Sequence, residues 1–214
     1  MKKLLISAGV LSASAPLLLS AAQPADAATR WTYRSTQLSA SADLAFRGTI
    51  DGFAGNVHTG SVSATAGRYA EVSVVDWTCP DGAWPSYGYE YDGGSNPCTF
   101  EDSHDMTGDA GAVTVAIDKK LLSGSITGTM TDYTYDGDYY APPSSTTTDV
   151  AISFTGQGAT QTSTEYTRSK AYVFKNETTT RSAVVSGSVG SIDLGAQQVE
   201  GTLSSTKSYE RSVS

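Results

Sequence analysis

The chain is poor in the residues that most often carry chemistry. It has two cysteines, two histidines and three methionines in 214 residues. It contains no G-x-S-x-G elbow, H-E-x-x-H pair, C-x-x-C pair or phosphate-binding glycine loop, so the sequence names no nucleophile and no redox dithiol. With only His58 and His104 available, a multi-histidine zinc site would have to use both. His104 stands in Glu101-Asp102-Ser103-His104-Asp105, where a solvated loop residue is the expectation. The aspartates Asp81, Asp92, Asp132, Asp136 and Asp138 would suit calcium. However, three of them sit in Asp-Gly turn pairs and no D-x-D-x-D-G spacing occurs. No metal, no cofactor and no catalytic residue is therefore expected.

Basic clusters are also missing. From Asp76 to Asp138 there are 12 acids against Lys119 and Lys120 alone, a net charge of −10, while the whole chain carries −8. Phosphate backbones and anionic membranes are bound by grouped Lys and Arg, so nucleic acid is not an expected partner.

The one long apolar run is N-terminal. Lys2 and Lys3 precede a mostly apolar stretch from Leu4 to Ala22, and Ala25-Asp26-Ala27 supplies a small-x-small cleavage pattern. Residues 1–27 read as a secretory signal peptide, leaving a secreted domain over 28–214. No cysteine follows the run and the last residues, TKSYERSVS, are polar, so no membrane anchor is expected. In an exported chain Cys79 and Cys98 read as one disulfide, which would stabilise the fold by about 3 kcal/mol.

Helical periodicity is nearly absent from 28–214, whereas period-two alternation is frequent. Leu44, Phe46, Gly48 and Ile50 alternate with Asp43, Ala45, Arg47 and Thr49, and Asp51-Gly52 follows as a hairpin signal. Further strands are expected over Val57–Ala66, Tyr69–Thr78, Val113–Ile117 and Leu122–Met130, with another over Trp31–Gln37. The segment from Asp43 resembles that from Asp149, and the segment around Ile117-Asp118 resembles that around Ile192-Asp193. This suggests an internal duplication with halves at about 41–135 and 149–212, the first carrying a disulfide-loop insertion at 79–98. The expected fold is all-β, an antiparallel meander of about ten strands closed as a β-barrel, with a two-sheet β-sandwich as the alternative.

What the chain does have is tyrosine, concentrated in two acidic segments. Between the cysteines lie Trp84, Tyr87, Tyr89, Glu90, Tyr91 and Asp92, and DYTYDGDYYAPP holds Tyr133, Tyr135, Tyr139 and Tyr140. Tyrosine gives stiff contact area and a hydroxyl at little rotamer cost, and rings beside carboxylates suit sugars. These ten residues are the candidate ligand site of a non-catalytic binding protein for a glycan or a protein partner. Two alternatives are a glycoside hydrolase-like enzyme using loop carboxylates, with Glu90 the first acid to test, and a structural or cell-surface β-protein. The binding reading requires the two segments to lie together in space.

Overall fold

The alternation along the chain becomes eleven strands and, among the described residues, no helix. The structure is a computed structural model and describes residues 33–86, 96–136, 142–169 and 172–212. The strands are β1 (Tyr33–Arg47), β2 (Val57–Thr65), β3 (Tyr69–Thr78), β4 (Thr99–Asp109), β5 (Val113–Ile117) and β6 (Ser123–Tyr135). They continue with β7 (Ser144–Gly156), β8 (Gln161–Arg168), β9 (Tyr172–Val189), β10 (Ile192–Asp193) and β11 (Glu200–Ser212).

All pairings are antiparallel, and eight strands pair in a closed ring, in the order β1, β2, β3, β4, β6, β7, β9, β11 and back to β1. The other three attach to this ring. β5 follows β4 along the same edge of β6, while β8 and β10 pair with β9. Closure gives every strand of the ring a partner on both sides over at least part of its length. Ile117 ends β5, which pairs with β6, whereas Ile192 opens β10, which pairs with β9.

The core follows directly from the period of two. In β1, Ala40, Ala42, Leu44 and Phe46 are buried and the residues between them are exposed. Val62 and Ala64 of β2, Ala70, Val72 and Val74 of β3, Ile126 and Met130 of β6, and Val150, Ile152 and Phe154 of β7 join the same apolar cluster. Many of these side chains are small. A second cluster lies apart from it, where Val57, Cys79 and Cys98 are covered by Trp77 and Ala83.

Several expectations are revised. β1 runs unbroken from Tyr33 to Arg47, so the two strands expected near Trp31–Gln37 and from Asp43 are one. It stops short of Ile50: Gly48 makes one more backbone bond, to the Asn56 carbonyl at 3.0 Å, and with its φ of 148° the chain then leaves the ladder. Asp51-Gly52 turns inside the connection 48–56 and does not make a two-residue hairpin. Glu101–Asp105, expected as loop, lies within β4.

Registers decide which connections share an end. β3 runs into the cysteine loop as β4 leaves it, with Thr78 opposite Thr99. Ser103 of β4 faces Tyr135 of β6, and Thr134 faces Ser144 of β7. The connections 48–56, 79–98 and 136–143 therefore emerge at one end of the ring. The turn at Gly190–Ser191 is tied to the same end, since the Ser191 hydroxyl donates to the Asp51 carbonyl at 2.5 Å.

Candidate functional site at the polar end of the ring

At that end the inward rows change character. Two residues beyond Val74 the same face of β3 carries Asp76, and two before Met106 β4 carries His104. Beyond Met130 β6 carries Asp132, and beyond Val62 and Gly60 β2 carries His58. Alternation does not stop for polarity: once the apolar residues face in, their neighbours two positions away face in too. His58 and Asp76 are 0 % exposed, Asp132 6 % and His104 7 %. Burying such groups is costly unless each finds a partner.

Most of the partners are present. His58 Nδ1 donates to Asp76 Oδ1 at 2.6 Å, and its Nε2 faces the Gly48 carbonyl at 2.8 Å. Burial works against charge on His58, but the bonds to Asp76 and Gly48 and the negative charge of Asp76 and Asp102 together raise its pKa above the usual 6.5. His104 Nδ1 donates to both carboxylate oxygens of Asp132 at 3.2 Å, and the Thr134 hydroxyl lies 3.3 Å away. The Thr148 hydroxyl donates to Asp132 Oδ2 at 3.3 Å. Phe53, from the connection 48–56, covers this group, its ring 4.6 Å from that of His104 and edge-on to His58 at 6.4 Å.

Three buried atoms have no hydrogen-bond partner here, Asp76 Oδ2, Asp102 Oδ1 and His104 Nε2. His104 Nε2 is 4.0 Å from Asp76 Oδ2 and 3.9 Å from Asp102 Oδ1, beyond hydrogen-bond reach. Burial pushes the Asp102 carboxyl up to about 6, assisted by Asp76 and Glu101 and opposed by His104.

The outer surface of the same end is aromatic. The β3–β4 ladder shifts register between Asp76 and Trp77, so that Asp76 faces Asp102 and Trp77 faces Phe100, with Glu101 as the extra residue. The bulge re-aims β4, sending Asp102 to the inner side and Phe100 to the outer one. Trp77 and Phe100 meet edge to face at 5.8 Å, and the Trp77 indole donates to Thr59 Oγ1 at 2.9 Å. Asn56 fastens the root of the cysteine loop, its side chain bonding both the N–H and the carbonyl of Cys79. It stands next to Gly55, whose φ of 72° and close approach to the Trp77 carbonyl leave no room for a side chain.

Of the residues singled out in the sequence, Cys79 and Cys98 form the expected disulfide. Trp84 is 46 % exposed, with the Arg47 guanidinium 5.6 Å from its ring centre and donating to the neighbouring Ala83 carbonyl. Tyr133 and Tyr135 are exposed on β6, opposite Asp105 and Ser103 of β4. Tyr87, Tyr89, Glu90, Tyr91, Asp92, Tyr139 and Tyr140 lie outside the described residues. Because β4 leads directly out of the cysteine loop and pairs with β6, the bases of the two tyrosine-rich segments are neighbours.

The sequence reading missed the buried group altogether. His104 is not a solvated loop residue but a buried strand residue, and His58 is fully enclosed. Extending the apolar alternation of β3, β4 and β6 by one more step would have marked Asp76, His104 and Asp132 as inward. Elsewhere among the described residues the hollows are open to solvent, one of about 360 Å³ being lined by Ser41, Asp43, Gln157, Ser182, Glu200 and Thr202 among others. Comparison with protein-family models, with curated proteins and with solved structures finds no match to this chain.

Proposed function

We propose that the protein is a secreted, non-catalytic binding protein that engages a glycan or protein partner at the aromatic end of its strand ring. The observation that carries this reading is the pairing of Ser103 with Tyr135 and Asp105 with Tyr133. It sets the tyrosines of one acidic segment beside the strand that issues from the other. Trp77, Phe100 and Trp84 add aromatic surface at the same end, and Glu101 and Asp105 supply carboxylates to accept hydroxyl hydrogens. Flat rings with nearby acceptors favour a sugar over a charged ligand.

Export is supported by the N-terminal pattern ending at Ala27 and by the disulfide, since disulfides persist outside the reducing cytosol. N-terminal sequencing of protein recovered from the culture medium should begin at Ala28. We read the closed ring as a barrel, the reading supported by the closure of its eight pairings and by one apolar cluster shared among its strands.

A glycan and cell-wall array tests the binding reading. The disulfide-bonded protein should bind a discrete set of sugars, and Trp84→Ala with Tyr135→Ala should lose that binding while the melting temperature stays put. Binding unchanged in these variants, or lost only together with the fold, would overturn it. Asp76 and Asp102 do not favour a hydrolase. They are close enough to influence one another, but Asp76 is wholly buried, and no sugar reaches between them.

A further inference from the structure

We propose that Asp76, Asp102 and His104 hold one divalent transition-metal ion, Zn²⁺ by the chemistry of the donors, inside the polar end of the ring. Asp76 Oδ2, Asp102 Oδ1 and His104 Nε2 are three buried atoms without hydrogen-bond partners, and a ligand atom from each residue lies within 4.8 Å of the others. Surface acids alone would not support a site. Here Asp76 is 0 % and His104 7 % exposed, and their unpartnered atoms converge on one point.

The hydrogen-bond pattern makes this point electron-rich. His104 donates Nδ1–H to Asp132, so in the neutral ring Nε2 is a bare lone pair facing two carboxylate oxygens. With Asp102 ionised, three acceptors face one another with no donor between them. Protonating Nε2 does not resolve this, because its nearest carboxylate oxygens, at 3.9 and 4.0 Å, are too distant to accept. A cation at the centre satisfies all three at once.

The surroundings match those of a metal ligand set. A ligating histidine commonly gives its other ring N–H to a carboxylate, fixing the ring and raising its basicity, and Asp132 does this for His104. Ligating carboxylates are in turn hydrogen-bonded, and His58 holds the second oxygen of Asp76. The Thr148 hydroxyl steadies Asp132 in the same way.

Donor chemistry selects the ion. One imidazole with two carboxylates suits zinc or a neighbouring first-row metal. Calcium and magnesium favour all-oxygen sets, and copper(I) favours sulfur. Ligand atoms about 2.1 Å from a tetrahedral ion sit roughly 3.4 Å apart, so His104 Nε2 and the two carboxylate oxygens, now 3.9 and 4.0 Å from it, must close by roughly 0.5 Å on binding. Asp102 is the partly exposed member, its side chain 21 % accessible, so the ion enters past it and a water completes the coordination there.

The test is a titration of the disulfide-bonded, chelator-stripped protein with Zn²⁺, followed by calorimetry and by NMR of the histidine ring nitrogens. One equivalent should bind saturably, with His104 Nε2 shifting as a metal-bound nitrogen while its Nδ1 keeps its proton. Asp102→Asn, on the rim of the cluster, should weaken binding by about tenfold or more with the fold intact. His104→Gln should abolish it. Lack of saturable binding up to millimolar Zn²⁺, binding that leaves the His104 ring nitrogens unmoved, or undiminished affinity in Asp102→Asn would each overturn the site. Absence of binding would leave a proton on Asp102 as what satisfies the cluster. The sugar array tests the aromatic surface separately, since it is run on variants outside this cluster.

Discussion

His58 Nδ1 lies 2.6 Å from Asp76 Oδ1, and both side chains are fully buried. The other ring nitrogen faces the Gly48 carbonyl, which only accepts, so beside an ionised Asp76 both bonds are satisfied by protons on both nitrogens, the form that the raised pKa of His58 favours. The pair ties β2 to β3 and to the end of β1. Its neighbours are Asp102, Asp132 and His104, so the polar end of the ring is one connected set of charges.

Breaking this pair from one side should be costly. His58→Leu or Asp76→Leu alone should lower unfolding free energy by about 3–5 kcal/mol, because each leaves a buried charge without its partner. The double variant should recover a large part of that loss. Chemical denaturation of the four proteins checks this, and losses that simply add would contradict the coupling.

Acidity should affect the metal-free protein in a definite direction. Burial raises Asp102 from 3.8 to about 6, so the folded state holds this proton more tightly than the unfolded chain does. Its contribution is full below about pH 4 and is lost as pH climbs through about 6. His58, raised above 6.5, acts in the same direction at higher pH: its contribution is full below 6.5 and is lost as pH rises through its folded value. Melting temperatures taken in chelator from pH 4 to 8 should therefore fall relative to those of Asp102→Asn across the lower part of that range. A relative rise would contradict the assignment.

Opening the disulfide should cost about 3 kcal/mol, the loop entropy released between Cys79 and Cys98. The Cys79→Ser/Cys98→Ser double variant, measured in urea, should show this as a lower midpoint with the core still formed. The damage should centre on the small cluster of Val57, Trp77 and Ala83. Unchanged stability would mean that Asn56 alone fixes the root of the loop.

The two tryptophans of this region should behave differently. Trp77 packs over Val57 and the cystine and donates to Thr59, so Trp77→Ala should cost about 3 kcal/mol or more. Trp84 is half exposed and, among the described residues, braced by Arg47, so Trp84→Ala should change stability by no more than about 1 kcal/mol. Thermal unfolding of the two variants separates a structural aromatic from a binding one.

The strands were readable because their signal is local. Ala40, Ala42, Leu44 and Phe46 state their own period, and so do Val113 and Val115. Ring closure was not readable, because the pairings of β11 with β1 and of β7 with β9 join residues far apart in the chain. The tyrosine segments were visible as composition, whereas the adjacency of their bases follows from the β4–β6 ladder. The buried group was hidden by a habit of reading: Asp76, His104 and Asp132 look like surface charge until the inward parity of Val74, Met106 and Met130 is carried one step further. Glu101 hides the rest, since the bulge that re-aims Phe100 leaves no mark in the sequence.

The central claim, that the aromatic and acidic end of the ring is the binding surface, is tested most directly by amide NMR while titrating the best array ligand. Shifts should concentrate at Trp77, Trp84, Phe100 to Asp105 and Thr131 to Tyr135. Shifts confined to β8 and the adjoining halves of β9 and β11 would place the site elsewhere and contradict the account.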